Sequence, residues 1–437
     1  RAADVAAIRT AMQAAPREDT ARLVARLDAA ERGRLFELLP ADEAADLLRQ
    51  VYYFQGSTIL EEVPVAIAAP ILEVLDSDER ADLLGELDDE TCDAILAALD
   101  TATADEARQF IQYPEGTAGS LMYSEFLSFR ERETVSQILD DLLSKRDEYA
   151  EYGVQYAYVL DDDGRLRGVL PIRNLLFADK DASAGSIMIP EPITVAVDAP
   201  LEDLETLADR HSFVGYPVTD AEQRLLGIVD RESIAEAREE TVTEDFLKFQ
   251  GLLGKEELRS MPLAIRSRRR LSWLSINIVL NLISASVIAI HQETLQAVIA
   301  LAVFLPIISD MSGCSGNQAV AVSMRELSLG MVRPNEVWRV FVKESLVGLV
   351  NGSVLGGLLG VLAWVWKGNA WLGLVVGVAL ALNTILAVII GGAVPLILKG
   401  LKQDPALASG PILTTITDMC GFFLILTFAS LLLPVLL

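Results

Sequence analysis

Residues 370–398 read AWLGLVVGVALALNTILAVIIGGAVPLIL, without one charged side chain. At about 1.5 Å per residue, a helix of that length exceeds the ~30 Å of a hydrocarbon layer. Four further apolar stretches lie around it, at about 271–290, 294–324, 338–366 and 411–436. Each is near or above the ~20 residues that a membrane span needs. The back of the chain is therefore expected to be an all-α transmembrane domain of five helices, residues 269–437. The second stretch is expected to be broken, by Pro306 and by Ser312-Gly313-Cys314-Ser315-Gly316. In the third, Gly352, Gly356 and Gly360 recur at every fourth position, a pattern that lets helices approach closely.

The 437 residues are too many for one ordinary soluble core. Their net charge of −26 hides a split. From Arg266 onward 11 basic residues face 7 acidic ones, a balance of +4, while the first 265 residues hold 25 basic against 55 acidic, a balance of −30. An acidic soluble front joined to a nearly uncharged apolar back excludes a simple soluble enzyme. It argues against nucleic acid as a partner, since phosphate binding wants a basic face, and it makes the lipid bilayer the expected one. Cys92, Cys314 and Cys420 show no CxxC spacing, so neither a disulfide framework nor a thiolate zinc site is expected. His211 and His291 supply no His-rich metal site, and no HExxH pair exists. No secretory signal opens the chain, and Arg1 is expected of a chain trimmed at its start. Tyr53-Phe54-Gln55-Gly56-Ser57 reads either as a natural loop or as a protease-tag remnant.

Orientation follows from the basic residues. Arg266, Arg268, Arg269 and Arg270 precede the first stretch, and Arg325, Arg333, Arg339 and Lys343 separate the second from the third. Lys399 and Lys402 separate the fourth from the fifth, whereas the opposite loops hold only Lys367. Basic loops stay on the cytoplasmic side. A multi-pass protein of the cell (inner) membrane is expected, with its soluble front cytoplasmic and its C-terminus outside. An odd number of crossings leaves no simple inverted repeat, which disfavours the common secondary-transporter folds.

Residues 1–115 read as an acidic, α-helical domain. Leu35, Leu38 and Leu39, then Leu47 and Leu48, Ile71, Leu72 and Leu75, Leu83, Leu84 and Leu87, and Ile95, Leu96 and Leu99 recur at helical spacing. Asp42, Asp78, Asp89 and Asp105 are candidate N-caps. Short helices of similar pattern suggest a stack of helix pairs. Residues 116–240 hold an internal repeat, Gly119-Ser120-Leu121-Met122 matching Gly185-Ser186-Ile187-Met188. An amphipathic helix follows each copy, at Val135–Leu143 and Leu201–Ala208, and two strands follow each helix. That α+β order, twice in register, resembles a tandem pair of CBS modules. In CBS pairs that bind adenosine nucleotides, an Asp after the last strand holds the ribose. Asn174 and Ser233 stand at those places here, which argues against ATP and leaves open a structural dimerisation role. From about Thr243 to Arg266 a linking helix is expected, within residues 241–268, with Glu244 and Asp245 in its first turn where carboxylates suit the dipole. Its apolar positions are Phe246, Leu247, Phe249, Leu252 and Leu253, and it serves as a lever or as a plain linker.

Polar groups at membrane depth are expensive and therefore informative. The fifth stretch carries Thr414, Asp418 and Gly421, four and three residues apart and so on one helix face. An unpaired carboxylate in lipid costs at least ~2.5 kcal/mol, a cost that a water-filled path for cations removes. The broken second stretch adds Asp310, Asn317 and Gln318 near its expected glycine kink, where irregular backbone is tolerated if it lines a cavity. Glu344 opens the third stretch beside Lys343, its simplest partner.

The order of acidic helical domain, CBS pair, linking helix and five spans resembles the MgtE family of magnesium channels across essentially the whole chain. The matching residues are Tyr113-Pro114-Glu115 and Ala118-Gly119-Ser120-Leu121-Met122, Pro306 with Gly316-Asn317-Gln318, and Thr415-Ile416-Thr417-Asp418 with Gly421. The resemblance implies a homodimer with a pore on its two-fold axis and an ion-selective ring formed by Asp418. It implies Mg2+ as substrate and as regulator, bound between carboxylates of the N-domain and CBS domains, with linking "plug" helices that then close the pore. Three positions depart from the family pattern. Ser312-Gly313-Cys314 stands for Gly-Gly-Asn, Thr414 for a small apolar residue, and Ser233 for a metal-ligating Asp.

Mg2+ is small and gives up water reluctantly, so one or two carboxylates that leave it largely hydrated suit it. Asp418 with its symmetry mate would hold such an ion, with Thr414, Asn317 and Asp310 as further pore-metal candidates. The regulatory candidates are Asp88, Asp89 and Glu90 on the N-domain, and Glu202, Asp203, Glu244 and Asp245 on the CBS and linker side. Bringing such carboxylates together costs repulsion unless divalent ions bridge them. The alternatives are a transporter for another divalent metal such as Mn2+ or Co2+, for which Cys314, Cys420 and Met419 offer soft ligands, a CBS-regulated non-cation carrier, and a membrane sensor without transport.

Overall fold

The computed structural model describes residues 23–24, 26–51, 53–149, 152, 155–252, 261 and 263–436. The chain divides into two compact units, Arg1–Thr241 and Val242–Leu437.

The described part of the first unit begins with short helices: α1 (Ala29–Leu38), α2 (Ala41–Leu48), α3 (Tyr53–Glu62), α4 (Val65–Val74), α5 (Ser77–Gly85), α6 (Asp89–Leu96) and α7 (Thr101–Ile111). Their N-caps are Asp28, Pro40, Pro64, Asp76, Asp88 and Asp100, spaced by twelve residues or, between Pro40 and Pro64, by twice that. The period is a helical repeat of one turn-and-helix each. An Asp at the cap accepts backbone N–H groups that the helix leaves unpaired; Asp28 takes the N–H of Glu31 at 2.8 Å, and Asp100 takes that of Ala102 at 2.9 Å. Each helix packs on the one two places along, α1 on α3, α2 on α4, α3 on α5, α4 on α6 and α5 on α7. Phe36, Leu47, Ile59, Leu72, Leu84 and Ile95 fill the shared core. The four Asp residues expected as caps sit too late in the chain. Asp42, Asp78 and Asp89 lie in first turns and Asp105 lies inside α7, because the capping position falls at the turn and not at the first apolar contact. Residues 53–57 are not a loop but the opening turns of α3, where a Cβ on Gly56 would lie 2.7 Å from the Leu83 side chain.

The repeat of residues 116–240 folds as expected. Its first half comprises α8 (Ala118–Leu121), β1 (Leu127–Arg130), α9 (Val135–Ser144), α10 (Arg146–Tyr149), β2 (Tyr156–Leu160), β3 (Leu166–Pro171) and α11 (Ile172–Phe177). The second comprises α12 (Ala184–Ile187), β4 (Ile189–Pro190), β5 (Val195–Ala196), α13 (Leu201–Arg210), β6 (Gly215–Thr219) and β7 (Leu225–Asp230). In each half a parallel pair is followed by an antiparallel one, β1-β2-β3 and β5-β6-β7. The duplicated Gly-Ser motif has a physical reason. Gly119 N–H donates to Val197 O at 2.8 Å, and Gly185 N–H donates to Glu131 O at 2.9 Å, so each motif pins the strand exit of the other half.

Helix α14 (Arg231–Phe249) follows without a break. The linking helix was expected to begin near Thr243, with Glu244 and Asp245 in its first turn. They lie instead near the C-terminal end of a helix that starts at Arg231, where carboxylates oppose the dipole and Lys248 compensates, 3.1 Å from Glu244. Gly251 ends the segment with φ 77°, and residues 253–260 and 262 of the expected linker lie outside the described residues.

Among the described residues, five helices of the second unit are long and apolar enough to cross a membrane: Leu263–Ile290, Ile299–Ser328, Pro334–Lys367, Ala370–Gly400 and Gly410–Leu431. The elements of the unit are α15 (Leu263–Ile290), a short α16 (Gln292–Ala297) between the first two spans, a 3-10 turn at Ile299–Val303, α17 (Leu305–Ser328), α18 (Val337–Lys367), α19 (Ala370–Gly400), α20 (Pro405–Leu431) and, after the fifth span, α21 (Leu433–Leu436). The second span is not broken at 312–316. Its irregular part lies before Leu305, Pro306 occupies the first turn of α17 where its missing N–H costs nothing, and the helix runs on through both glycines. Gly316 serves packing, since a Cβ there would meet Leu413 at 2.9 Å and Ala387 O at 3.0 Å. The glycine ladder of α18 does what its spacing suggests. Cβ atoms on Gly352, Gly356 and Gly360 would lie 2.5–2.9 Å from the carbonyls of Ala381, Gly377 and Gly373 on α19. Glu344 packs over Gly392 and has no ion-pair partner among the described residues, Lys343 included.

Candidate functional site

Asp418 sits in the middle of α20, 9% exposed. Its carboxylate accepts a hydrogen bond from Ser309 Oγ of α17. Among the described residues no Lys, Arg or His forms an ion pair with it. The turn that carries it is fixed from three sides. Ser284 Oγ of α15 donates to Thr415 O at 3.2 Å, Asn383 Nδ2 of α19 donates to Thr417 O at 3.0 Å, and Ser309 reaches the carboxylate itself. Within α20, Thr415 Oγ1 donates to Pro411 O at 2.7 Å and Thr417 Oγ1 to Thr414 O at 3.0 Å. The run of hydroxyl residues before Asp418 thus turns most of its polarity back onto its own helix.

Thr414, one turn before Asp418, is exposed. On α17, Asp310, Cys314 and Gln318 are exposed and Asn317 is half-buried, with Oδ1 lacking a partner among the described residues. Asp310, Cys314 and Asn317 are four and three residues apart and so form one stripe. Exposed carboxylate and amide groups inside membrane helices do not belong against hydrocarbon. They need an aqueous path or a second protein surface.

The soluble candidates lie on separate helices. Asp88 caps α6, accepting from Thr91 N at 3.0 Å and from Thr91 Oγ1 at 2.9 Å, and these bonds hold its carboxyl below the usual range. Asp89 and Glu90 follow in the first turn, and Glu202 and Asp203 occupy the first turn of α13, all four exposed. Glu244 and Asp245 are half-buried on α14, and burial, with Asp404 close by, raises the Asp245 carboxyl. Lys248 Nζ lies 3.1 Å from Glu244 and 3.2 Å from Asp404, the N-cap of α20. Among the described residues no three or more His, Cys, Asp or Glu side chains form a set that could hold a metal ion. Asn174 and Ser233 are engaged locally. Asn174 donates to Ile187 O at 3.3 Å, and Ser233 donates through N and Oγ to Asp230 at 2.7 and 2.9 Å.

Ser309, Ser284 and Asn383 were not singled out in the sequence. Asn383-Thr384 is nonetheless the polar interruption of the most apolar span, and intramembrane polarity is the signal that would have found it.

Known proteins agree with this division of labour. A family model described as the divalent cation transporter MgtE matches residues 305–428, which include Ser309, Asn317, Asn383 and Asp418. The MgtE intracellular N domain matches residues 15–116, and the CBS domain matches 118–181 and 184–240. The magnesium transporter MgtE of Thermus thermophilus is 35% identical over 338 residues, 77% of this chain and 74% of that one. The magnesium transporter MgtE of Enterococcus faecalis is 32% identical over 327 residues, 75% of this chain and 71% of that one. The solved cytosolic domain of the Mg2+ channel MgtE in complex with ATP is 30% identical, covers 54% of this chain and 95% of its own, and superposes with a TM-score of 0.49. An intracellular helical domain, a CBS pair and a bundle of five apolar helices with a carboxylate in the last, matched by relatives over three quarters of its length, make this chain a member of the MgtE family of divalent cation transporters.

Proposed function

We propose that this protein conducts Mg2+ across the cell membrane through a pore on the two-fold axis of a homodimer, with Asp418 of each copy forming the selective ring. The observation that carries the reading is a buried carboxylate inside a span, held by Ser309 and lacking a cationic partner among the described residues. An ionised group so placed needs a cation, and a passing one supplies it. Two facing carboxylates would hold Mg2+ through its water shell, tightly enough to admit it and loosely enough to release it. The stripe of exposed Asp310 and Cys314 and half-buried Asn317, with exposed Thr414, supports an aqueous path or a second copy alongside α17 and α20. Thr414 and Asn317 would contact the ion's water. The chain divides in this reading into N-domain 1–115, CBS pair 116–240, linker 241–268 and membrane domain 269–437, with the C-terminus outside.

Cytosolic Mg2+ closes the pore by binding the compact arrangement of the acidic front more tightly than the open one. Asp88, Asp89, Glu90, Glu202, Asp203, Glu244 and Asp245 are the proposed ligands. The test is Mg2+, Mn2+ and Co2+ uptake by vesicles containing the purified protein, together with trypsin cleavage of the front at zero and ~10 mM Mg2+. Saturable Mg2+ uptake and Mg2+-dependent protection are expected. No uptake of any divalent ion overturns the transport reading, and unchanged cleavage overturns the regulatory one.

A further inference from the structure

Asn383 is fully buried in the centre of α19, yet nothing in the transport scheme uses it. Its Nδ2 donates to the carbonyl of Thr417, the residue immediately before Asp418, at 3.0 Å. In an α-helix that carbonyl already accepts the N–H of the residue four places on, which is Gly421. Asn383 therefore approaches from the side, across the surface of Gly421. A Cβ built on Gly421 would lie 2.7 Å from Asn383 Nδ2 and 3.2 Å from Ile308. The missing side chain of Gly421 is the opening through which the amide reaches α20. The Asn383 Oδ1 has no partner among the described residues. A buried amide that satisfies only its donor is costly in a core, and packing alone would be served better by leucine.

We infer that Asn383 and Gly421 form one device that sets the rotation of α20 and so aims Asp418. Asn383 is a positioning residue, acting on the carboxylate through the Thr417 carbonyl, and Gly421 is the clearance that device requires. Ser284 holds the Thr415 carbonyl and Ser309 the carboxylate, but neither bond holds the backbone next to Asp418. The bond at Thr417 O fixes the azimuth one residue from the carboxylate, complementing Ser309, which holds the carboxylate itself. The inference rests on the proposal that Asp418 selects the ion.

The test uses full-length protein in phospholipid vesicles, with Mg2+ uptake measured for wild type, Asn383→Leu, Gly421→Ala, the double variant and Asp418→Asn. A mis-aimed carboxylate weakens ion binding more than it limits throughput. Asn383→Leu and Gly421→Ala are each expected to raise the half-saturating Mg2+ about three- to tenfold, the worth of one buried hydrogen bond, with the maximal rate largely kept. The double variant is expected to be no worse than the poorer single one, since both remove the same bond. Where Asn383→Leu fails to fold, Gly421→Ala, which leaves Asn383 in place, carries the test. Unchanged half-saturation in the folded variants, or effects that multiply in the double variant, overturn the inference. If Asp418→Asn is impaired and Asn383→Leu transports normally, only this inference falls. If Asp418→Asn itself transports as wild type, the selective role of Asp418 falls and this inference with it.

Discussion

Ser309 of α17 donates its hydroxyl to the carboxylate of Asp418 on α20, tying the second span to the fifth at the one acidic side chain buried in a span among the described residues. A serine so placed holds the carboxylate in one rotamer without neutralising it. Ser309→Ala is expected to raise the half-saturating Mg2+ about two- to tenfold, the net worth of one ordinary hydrogen bond. Uptake kinetics in vesicles check it, and a variant indistinguishable from wild type would show that Ser309 does not hold the carboxylate.

The α18–α19 seam depends on backbone approaching backbone. A Cβ at Gly356 would lie 2.5 Å from Gly377 O, so Gly356→Leu forces the helices apart. Overpacking of this kind costs about 1–3 kcal/mol or more. Lower yield of folded protein and a lower melting temperature in detergent are expected. Gly357, with nothing within 4 Å, is the control, and Gly357→Ala should melt as wild type.

Lys248 bridges Glu244 and Asp404 and lies beside Asp245. Lys248→Met removes a partly exposed ammonium, worth about 1 kcal/mol or less to stability. It leaves carboxylates free to share a divalent ion. The Mg2+ concentration that closes the pore is expected to fall about two- to threefold, by the same electrostatic magnitude. A rise, measured as flux against cytosolic-side Mg2+, would contradict the role given to Glu244 and Asp245.

Burial, with Glu79, Asp76 and Asp82 nearby, pushes the Asp78 carboxyl up to about 8. A folded-state value above the unfolded one means that the folded state binds the proton more tightly. Its contribution is therefore complete below about pH 4 and is lost as pH rises toward 8. Asp78→Asn keeps an acceptor for the Glu79 N–H, now at 2.9 Å, and removes the titration. The variant is expected to melt a few degrees above wild type near pH 8 and to lose that advantage near pH 4. A constant difference across that range would contradict the assignment.

The five spans and the CBS-like repeat were legible because they rest on strong local signals, long apolar runs and a duplicated Gly-Ser motif. The place of Asp418 inside a span was legible from the same runs, while its role stands as a proposal. The twelve-residue period of the front was harder to read. Its caps are Asp at some turns and Pro at others, and the apolar positions draw the eye one or two residues too late, from Asp76 to Asp78 and from Asp88 to Asp89. In the sequence, the glycines at 313 and 316 suggest a kink because their spacing does not say whether a neighbouring backbone lies against them. Gly316 proved to be a contact, with Ala387 O and Leu413. The bonds of Ser309, Ser284 and Asn383 to α20 join residues far apart in the chain, and no periodicity within one span reveals them.

The most direct measurement compares Mg2+ uptake by vesicles carrying wild-type protein and Asp418→Asn, which keeps the shape and removes the charge. Loss of at least about tenfold in uptake, with the melting temperature held, is predicted for a carboxylate ring that binds the hydrated ion. Undiminished Mg2+ uptake by Asp418→Asn would contradict it.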